Sequence, residues 1–189
     1  MVVMMNLLIL ECIPKYENIQ EGKILADVLT LPDDDNDVMV SVKEFTFKRD
    51  LLKYLKRKAN LKNYDFIHLS GHGIVEDQET AFFELPHGKV QPYEFPEDCF
   101  SDMHMAMSAC ELGKVGFIDP FIGQTSPLSV LGPQREIPFR DASLFWVNYY
   151  SLVLHQGITP RSAYNKTSDF LKGKIIGALK FWETVPEEN

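Results

Sequence analysis

The chain has 189 residues, 45% hydrophobic and 24% charged, so it is long enough to bury a core and is neither disordered nor fibrous. Its 27 acidic residues outnumber its 19 basic residues and leave a net charge of -8 at pH 7, without the basic excess that binding to phosphate backbones requires. We therefore expect a single domain over residues 1–189 and no nucleic acid as a partner.

The amino-terminal apolar run, residues 2–10, is interrupted by Asn6 and is much shorter than the roughly 20 residues needed to cross a bilayer. It also lacks the basic flank of a signal peptide. The three cysteines, Cys12, Cys99 and Cys110, are an odd number without framework spacing, so we expect reduced thiols. These features favour a cytoplasmic protein with no membrane partner.

Apolar runs alternate with amphipathic segments through the first 110 residues. Strand patterns occupy residues 6–12, 38–47, 64–69 and 103–109, helical spacing occupies 24–29 and 48–58, and a β-hairpin pattern lies within 81–95. Strands that alternate with helices predict an α/β domain with a mostly parallel sheet flanked by helices on both faces.

The second half of the chain is less regular. Residues 114–141 are rich in Pro, Gly and Phe without a long period, which predicts an ordered, irregular loop over the sheet edge. Residues 142–154 predict a strongly apolar helix, and Thr159 and Pro160 form a cap and first turn for another. Residues 174–182 fit both helical and strand spacing, and their structure stays open.

Two residues suited to acyl transfer follow consecutive predicted strands. His72 lies between two glycines after the third strand, and Cys110 follows the fourth. The carboxyl ends of parallel strands share one sheet edge, where doubly wound folds bind ligands. A thiol attacks only as thiolate, so the imidazole can take its proton, and the backbone amides of Gly73 and Cys110 are candidates for an oxyanion hole.

The strings that carry these residues are Tyr64-Asp-Phe-Ile-His-Leu-Ser-Gly-His-Gly73 and Met107-Ser-Ala-Cys-Glu-Leu-Gly113. They resemble the His box and the Cys box of caspase-like cysteine peptidases, most closely the CHAT type. Residues 145–157, followed by Ser162-Ala-Tyr164, are similar to the CHAT pattern of a helix that ends in a Gly turn before an alanine-containing helix. This resemblance covers roughly residues 60–171. It implies a caspase-hemoglobinase fold with His72 as general base and Cys110 as nucleophile.

The chain departs from the CHAT pattern in two places. CHAT domains usually have a strand ending in Trp between the Cys box and the following helix, whereas residues 129–134 occupy that place here. Many CHAT proteins also receive a partner on a helical-repeat region, and this chain has none. The departures bear on how a substrate is recognised more than on the His-Cys dyad.

The residues and the resemblance together predict a cysteine endopeptidase that acts on a protein or peptide substrate, without a metal or organic cofactor. Glu111 and Asp119 are candidates to select a basic substrate side chain by charge pairing. His87, Cys99 and His104 match no zinc-site spacing. Two alternatives stay open. One is a catalytically silent caspase-like module that binds a regulatory protein, and the other is a thiol-dependent enzyme acting on a non-peptide acyl group.

Overall fold

The computed structural model describes residues 5–31, 38–76, 80–171 and 178–184. Within these ranges the chain forms nine β-strands and five α-helices, which in chain order are β1 Asn6–Glu11, α1 Glu21–Leu29, β2 Met39–Glu44, α2 Lys48–Leu55, β3 Phe66–Ser70, β4 His72–Val75, β5 Ala81–Leu85, β6 Gly88–Val90, β7 His104–Ser108, α3 Val115–Thr125, β8 Ser129–Pro133, α4 Phe139–Tyr150, α5 Pro160–Phe170 and β9 Leu179–Glu183. A π-helical turn, Ser151–His155, continues α4.

The larger sheet has six strands in the order β2-β1-β3-β7-β8-β9. Its first five strands are parallel, and β9 pairs antiparallel with β8. The apolar run of β1 occupies the interior because its side chains alternate between two cores, with Leu7 and Ile9 in one and Leu8 and Leu10 in the other. The prediction of an α/β domain with a mostly parallel sheet is therefore confirmed.

Helices cover both faces of this sheet. Leu25 of α1, Trp146 of α4 and Ala163 of α5 pack in the core cluster that contains Leu7 and Ile9. On the opposite face, Leu51 of α2 and Phe117 of α3 pack with Leu8 and Leu10. Because β1, β3 and β7 are adjacent and parallel within this sheet, their carboxyl ends meet at one edge.

The prediction of an irregular loop over residues 114–141 is wrong, because this segment contains α3 and β8. Phe117, Ile118 and Phe121 lie at helical spacing, and all three are buried. This helical spacing of apolar residues is hard to recognise in the sequence, because Pro120 inside the helix and the neighbouring glycines all lower helix propensity. Because β8 pairs parallel with β7, the sheet continues past the strand that leads to Cys110.

A smaller antiparallel sheet, β4-β5-β6, follows β3 after the single residue Gly71. The hairpin predicted within residues 81–95 is confirmed as β5-β6, in which Leu85 pairs with Gly88. A Cβ built on Gly71 would lie 2.6 Å from the ring of Phe83, so glycine is required there for space. The chain therefore passes from one sheet into the other, and His72 begins the smaller sheet.

The last elements follow their sequence signals closely. Thr159 caps α5 by accepting a hydrogen bond from the amide of Ser162, and Pro160 is the first helical residue. The undecided tail forms β9 from Leu179 onward, while its residues 174–177 lie outside the described residues. Across the described ranges, no helix combines the length and apolar character needed to span a membrane.

Candidate active site

The ends of β3 and β7 bring His72 and Cys110 to one sheet edge. The two strands are adjacent and parallel, and Ser70 lies opposite Ser108 in the register. His72 and Cys110 each lie two residues beyond that pair. The amide of Gly71 donates a hydrogen bond to the Ser108 carbonyl at 3.2 Å, which extends the pairing toward His72. Both candidate residues line one cavity of about 180 Å³.

The backbone of β4 lies directly against the Cys110 turn. A Cβ built on Gly73 would lie 1.8 Å from the carbonyl oxygen of Cys110 and 2.9 Å from Cγ of Leu112. A Cβ atom does not approach non-bonded atoms this closely in proteins. Only glycine therefore fits at position 73 without a shift of β4 or of the Cys110 turn. The segments that carry the imidazole and the thiol are therefore in main-chain contact.

The Cys110 turn is anchored to β8 and contains a strained residue. The amide of Gly113 donates a hydrogen bond to the Pro133 carbonyl at 2.7 Å. Glu111 has a φ of 63°, a left-handed conformation that is uncommon for residues with a side chain. Its carboxylate forms a salt bridge with Lys114. Backbone strain of this kind persists only where the surrounding structure holds the residue in place. The strained residue, Glu111, directly follows the candidate nucleophile.

Of the three thiols, only that of Cys110 is accessible, because Cys12 and Cys99 are buried. Burial raises the pKa of the Cys12 thiol well above its ordinary value and raises the pKa of Cys99 to about 12. Both buried thiols are therefore protonated at neutral pH and are shielded from reagents. Cys110 therefore carries the thiol that a molecule in the cavity can reach.

Glu17 contacts the imidazole of His72. Its Oε1 and Oε2 atoms lie 2.9 and 3.0 Å from Nε2 of His72. Glu17 lies in the short 3-10 turn Lys15–Glu17, which follows β1. A carboxylate in this position accepts a hydrogen bond from Nε2–H, which favours the tautomer that leaves Nδ1 free to take a proton. Glu17 is therefore placed to orient the imidazole of His72.

A second carboxylate, Glu21 at the start of α1, ties the strand ends together beneath the cavity. Its side chain is only 1% exposed. Ser108 Oγ donates a hydrogen bond to Oε1 at 2.8 Å, Ser70 Oγ donates to Oε2, and His68 Nε2 lies 3.4 Å from Oε2. Trp146 Nε1 donates in turn to Ser108 Oγ at 3.1 Å. This network fixes β3 and β7 relative to each other immediately before the dyad.

Sequence reasoning missed both Glu17 and Glu21. Each is far along the chain from the two boxes and lies in a segment without a recognisable motif. One signal was present: β1 is a buried strand, and residues that follow a buried parallel strand reach the ligand-binding edge. The position of Glu17 and Glu21 after β1 is thus the one sequence feature that relates them to the segments after β3 and β7.

The two acidic candidates for substrate selection are not brought to the cavity. Asp119 is exposed on α3, and Glu111 is paired with Lys114. Neither is among the described residues that line the cavity. Their selection of a basic substrate side chain stays a prediction.

Most of the cavity wall is hydrocarbon or aromatic. The apolar lining residues are Ile13, Ile19, Ala109, Pro133, Ile137, Phe139, Ala142, Trp146 and Leu179. The two lining carboxylates already have partners, Glu17 at His72 and Glu21 at the serines. The surface offered to a ligand is consequently apolar.

The residues His87, Cys99 and His104 are engaged in other ways. His87 stacks on Phe47, Cys99 is buried, and His104 Nδ1 lies 2.8 Å from Ser129 Oγ. Within the part of the chain that the structure describes, no three His, Cys, Asp or Glu side chains are grouped so that they could hold a metal ion.

The geometry defines an α/β domain with a thiol, an imidazole and a carboxylate at one edge of a parallel sheet. The chain matches no protein-family model and no curated protein. Its function is therefore inferred from the residues at this edge.

Proposed function

We propose that the protein is a caspase-like cysteine peptidase in which Cys110 is the nucleophile and His72 the general base. The observation that carries this proposal is the pairing of Ser70 with Ser108 on adjacent parallel strands, because His72 and Cys110 each follow this pair by two residues. Their shared cavity and the main-chain contact at Gly73 support it further. The resemblance of the two boxes to those of CHAT peptidases is consistent with the same assignment.

The dyad would perform acyl transfer in two steps. His72 Nδ1 takes the thiol proton, and Cys110 Sγ attacks the carbonyl carbon of the scissile amide. The tetrahedral oxyanion accepts hydrogen bonds from the amides of Gly73 and Cys110, and among the described residues no backbone carbonyl accepts the Cys110 amide. His72 then protonates the departing amine, which leaves a thioester. Water, deprotonated by His72, hydrolyses this thioester and regenerates the thiol.

The proposal is tested by incubating the reduced protein with a proteome-derived peptide library and identifying new amino termini by mass spectrometry. We expect cleavage at a shared sequence pattern and none in a Cys110→Ala sample prepared identically. Cleavage that is equal in both samples, or absent from both, would contradict peptidase function. Thiol-dependent hydrolysis of simple esters without peptide cleavage would instead support the non-peptide alternative.

Glu17 would act as a positioning residue, through His72 rather than on the substrate. Glu17→Gln removes the negative charge beside Nε2 and permits the amide to donate instead of accept, which disfavours the productive tautomer. We expect kcat to fall roughly 10- to 100-fold with little change in KM. Steady-state kinetics over a pH series measure both parameters and the shift of the lower limb of the pH profile.

Glu44→Gln is the matched control for this variant. Glu44 forms an exposed salt bridge with Lys15 at 2.9 Å, in the same region but away from the imidazole. Loss of such an exposed pair has a small effect, so kcat is expected to stay within about twofold of wild type. Equal losses of kcat in the two variants would show that Glu17 only stabilises its loop.

The apolar cavity walls favour an apolar side chain in the substrate residue whose carbonyl is attacked. Norleucine and lysine differ here by a terminal ammonium group, which would lie among apolar walls beside carboxylates that are already hydrogen-bonded. We expect kcat/KM for a norleucine peptide to exceed that for its lysine twin by about tenfold or more. Faster cleavage of the lysine peptide would show that Glu17 or Glu21 selects a basic residue.

A further inference from the structure

Positive charge is concentrated in one segment of an otherwise acidic protein. Residues 48–62 contain seven of the 19 basic residues and only one of the 27 acidic residues. The rest of the chain therefore carries 12 basic and 26 acidic residues. This segment contains α2 and the turn that follows it, on the sheet face opposite α1 and α4.

The fold turns this charge outward. Leu51 and Leu55 bury the apolar side of α2 in the core. On its outer side, four exposed cations and one partly buried side chain line a shallow groove of about 370 Å³: Arg49, Lys53, Lys56, Arg57 and Leu52. We call this groove the basic stripe. Its first three cations lie four and three residues apart, so they share one helix face.

The cations of the basic stripe have few internal partners. Within the described residues, Lys53, Lys56 and Arg57 form no salt bridge, and Arg49 contacts only its neighbour Asp50 at 3.5 Å with both side chains exposed. An exposed contact of this kind contributes little to stability. The stripe thus offers unpaired donors that charge-assisted hydrogen bonds to carboxylates would satisfy.

We propose that the basic stripe binds a short acidic segment of a protein partner. The helix α2 has eight residues and is about 12 Å long. About four residues of a partner in extended conformation span the same length. Four cations around one leucine match a segment of consecutive carboxylates with a single apolar residue. This surface is distinct from the cavity of His72 and Cys110, and the proposal does not depend on peptidase activity.

Two other polyanionic partners fit the stripe less well. The groove has no exposed aromatic side chain among its lining residues, whereas single-stranded nucleic acid is bound by base stacking on such residues. The strongly acidic remainder of the chain would also repel an extended phosphate backbone. An amphipathic helix that inserts into a membrane surface does so with an outward apolar face, whereas the apolar face of α2 is buried.

The proposal is tested by fluorescence anisotropy of labelled hexaglutamate titrated with the full chain at low salt. We expect saturable binding that weakens with added salt and becomes roughly tenfold weaker in a Lys53→Glu, Lys56→Glu, Arg57→Glu variant. The matched control is Lys23→Glu, Lys43→Glu, Lys166→Glu, which makes the same charge change at exposed sites outside the stripe. The control should bind hexaglutamate within about twofold of wild type.

Decauridylate and phosphatidylserine vesicles are titrated in parallel. Binding of hexaglutamate that is lost equally in both triple variants would overturn the proposal, because only net charge would matter. Absence of hexaglutamate binding to the wild type would also overturn it. Tighter binding of decauridylate or of the vesicles than of hexaglutamate would assign the stripe to nucleic acid or to an anionic membrane instead. Circular dichroism confirms that each variant is folded.

Discussion

Cys110→Ala is expected to abolish peptide cleavage while the domain stays folded. The substitution removes the one accessible thiol, and the two remaining thiols are buried in the core. A catalytic nucleophile contributes at least about a thousandfold to kcat, whereas truncation of a partly exposed side chain changes stability by about 1 kcal/mol or less. Turnover of a library-derived peptide and thermal unfolding followed by circular dichroism measure the two effects separately.

Cys99→Ala serves as the control, because it is expected to lower stability without loss of peptide cleavage. Cys99 is 5% exposed and packs with the core cluster of α2 and α3, so its truncation should lower stability and leave kcat unchanged. Retention of turnover in the Cys110→Ala variant would mean that another group attacks the substrate. Loss of turnover in the Cys99→Ala variant without unfolding would likewise contradict the assignment of Cys110.

Gly73→Ala is expected to damage both the site and the fold. The added methyl group would lie 1.8 Å from the Cys110 carbonyl oxygen, so β4 or the Cys110 turn must move. Overpacking of this kind costs about 1–3 kcal/mol of unfolding free energy. Displacement of a catalytic group by about 1 Å lowers rates on the order of a hundredfold. Denaturant unfolding and steady-state kinetics on the same preparation measure both losses.

Gly123→Ala is the matched substitution in α3. A Cβ at Gly123 meets no atom within 4 Å, and alanine favours a helix over glycine by about 1 kcal/mol. This variant should therefore be as stable as wild type or more stable, with unchanged kcat. A Gly73→Ala protein with wild-type stability and turnover would show that the segments of His72 and Cys110 do not touch as described.

The strands that carry the site were predictable from sequence because their signal is local. The runs at β1, β3 and β7 are short, apolar and bounded by polar or turn residues, which is the pattern of strands buried on both faces. The glycines on both sides of His72 can be read from the sequence, but the contacts that require them cannot. Gly71 and Gly73 make room for Phe83 and for the Cys110 carbonyl, contacts that depend on residues distant in sequence.

The carboxylates of the site could not be predicted from local patterns. Glu17 and Glu21 acquire their roles only when β1 pairs with β3, since that pairing brings the segment after β1 to His72 and to the two serines. The helix α3 was not predicted for a different reason. Tertiary packing of Phe117 and Phe121 outweighs the low helix propensity of Pro120. Glu111 and Asp119 are close to Cys110 in sequence, but neither lines the cavity.

An assembled catalytic pair of His72 and Cys110, as proposed, would react with a peptide that carries an electrophile. We measure the rate at which a norleucine acyloxymethyl-ketone peptide modifies the protein, followed by intact mass and mapped by peptide digestion. Iodoacetamide alkylation, which needs a reactive thiol but no assembled site, is measured alongside. We expect one adduct on Cys110, loss of ketone labelling in a His72→Ala variant and continued alkylation of that variant by iodoacetamide. Ketone labelling that is unchanged in His72→Ala, or that maps to Cys12 or Cys99, would contradict the proposed pair.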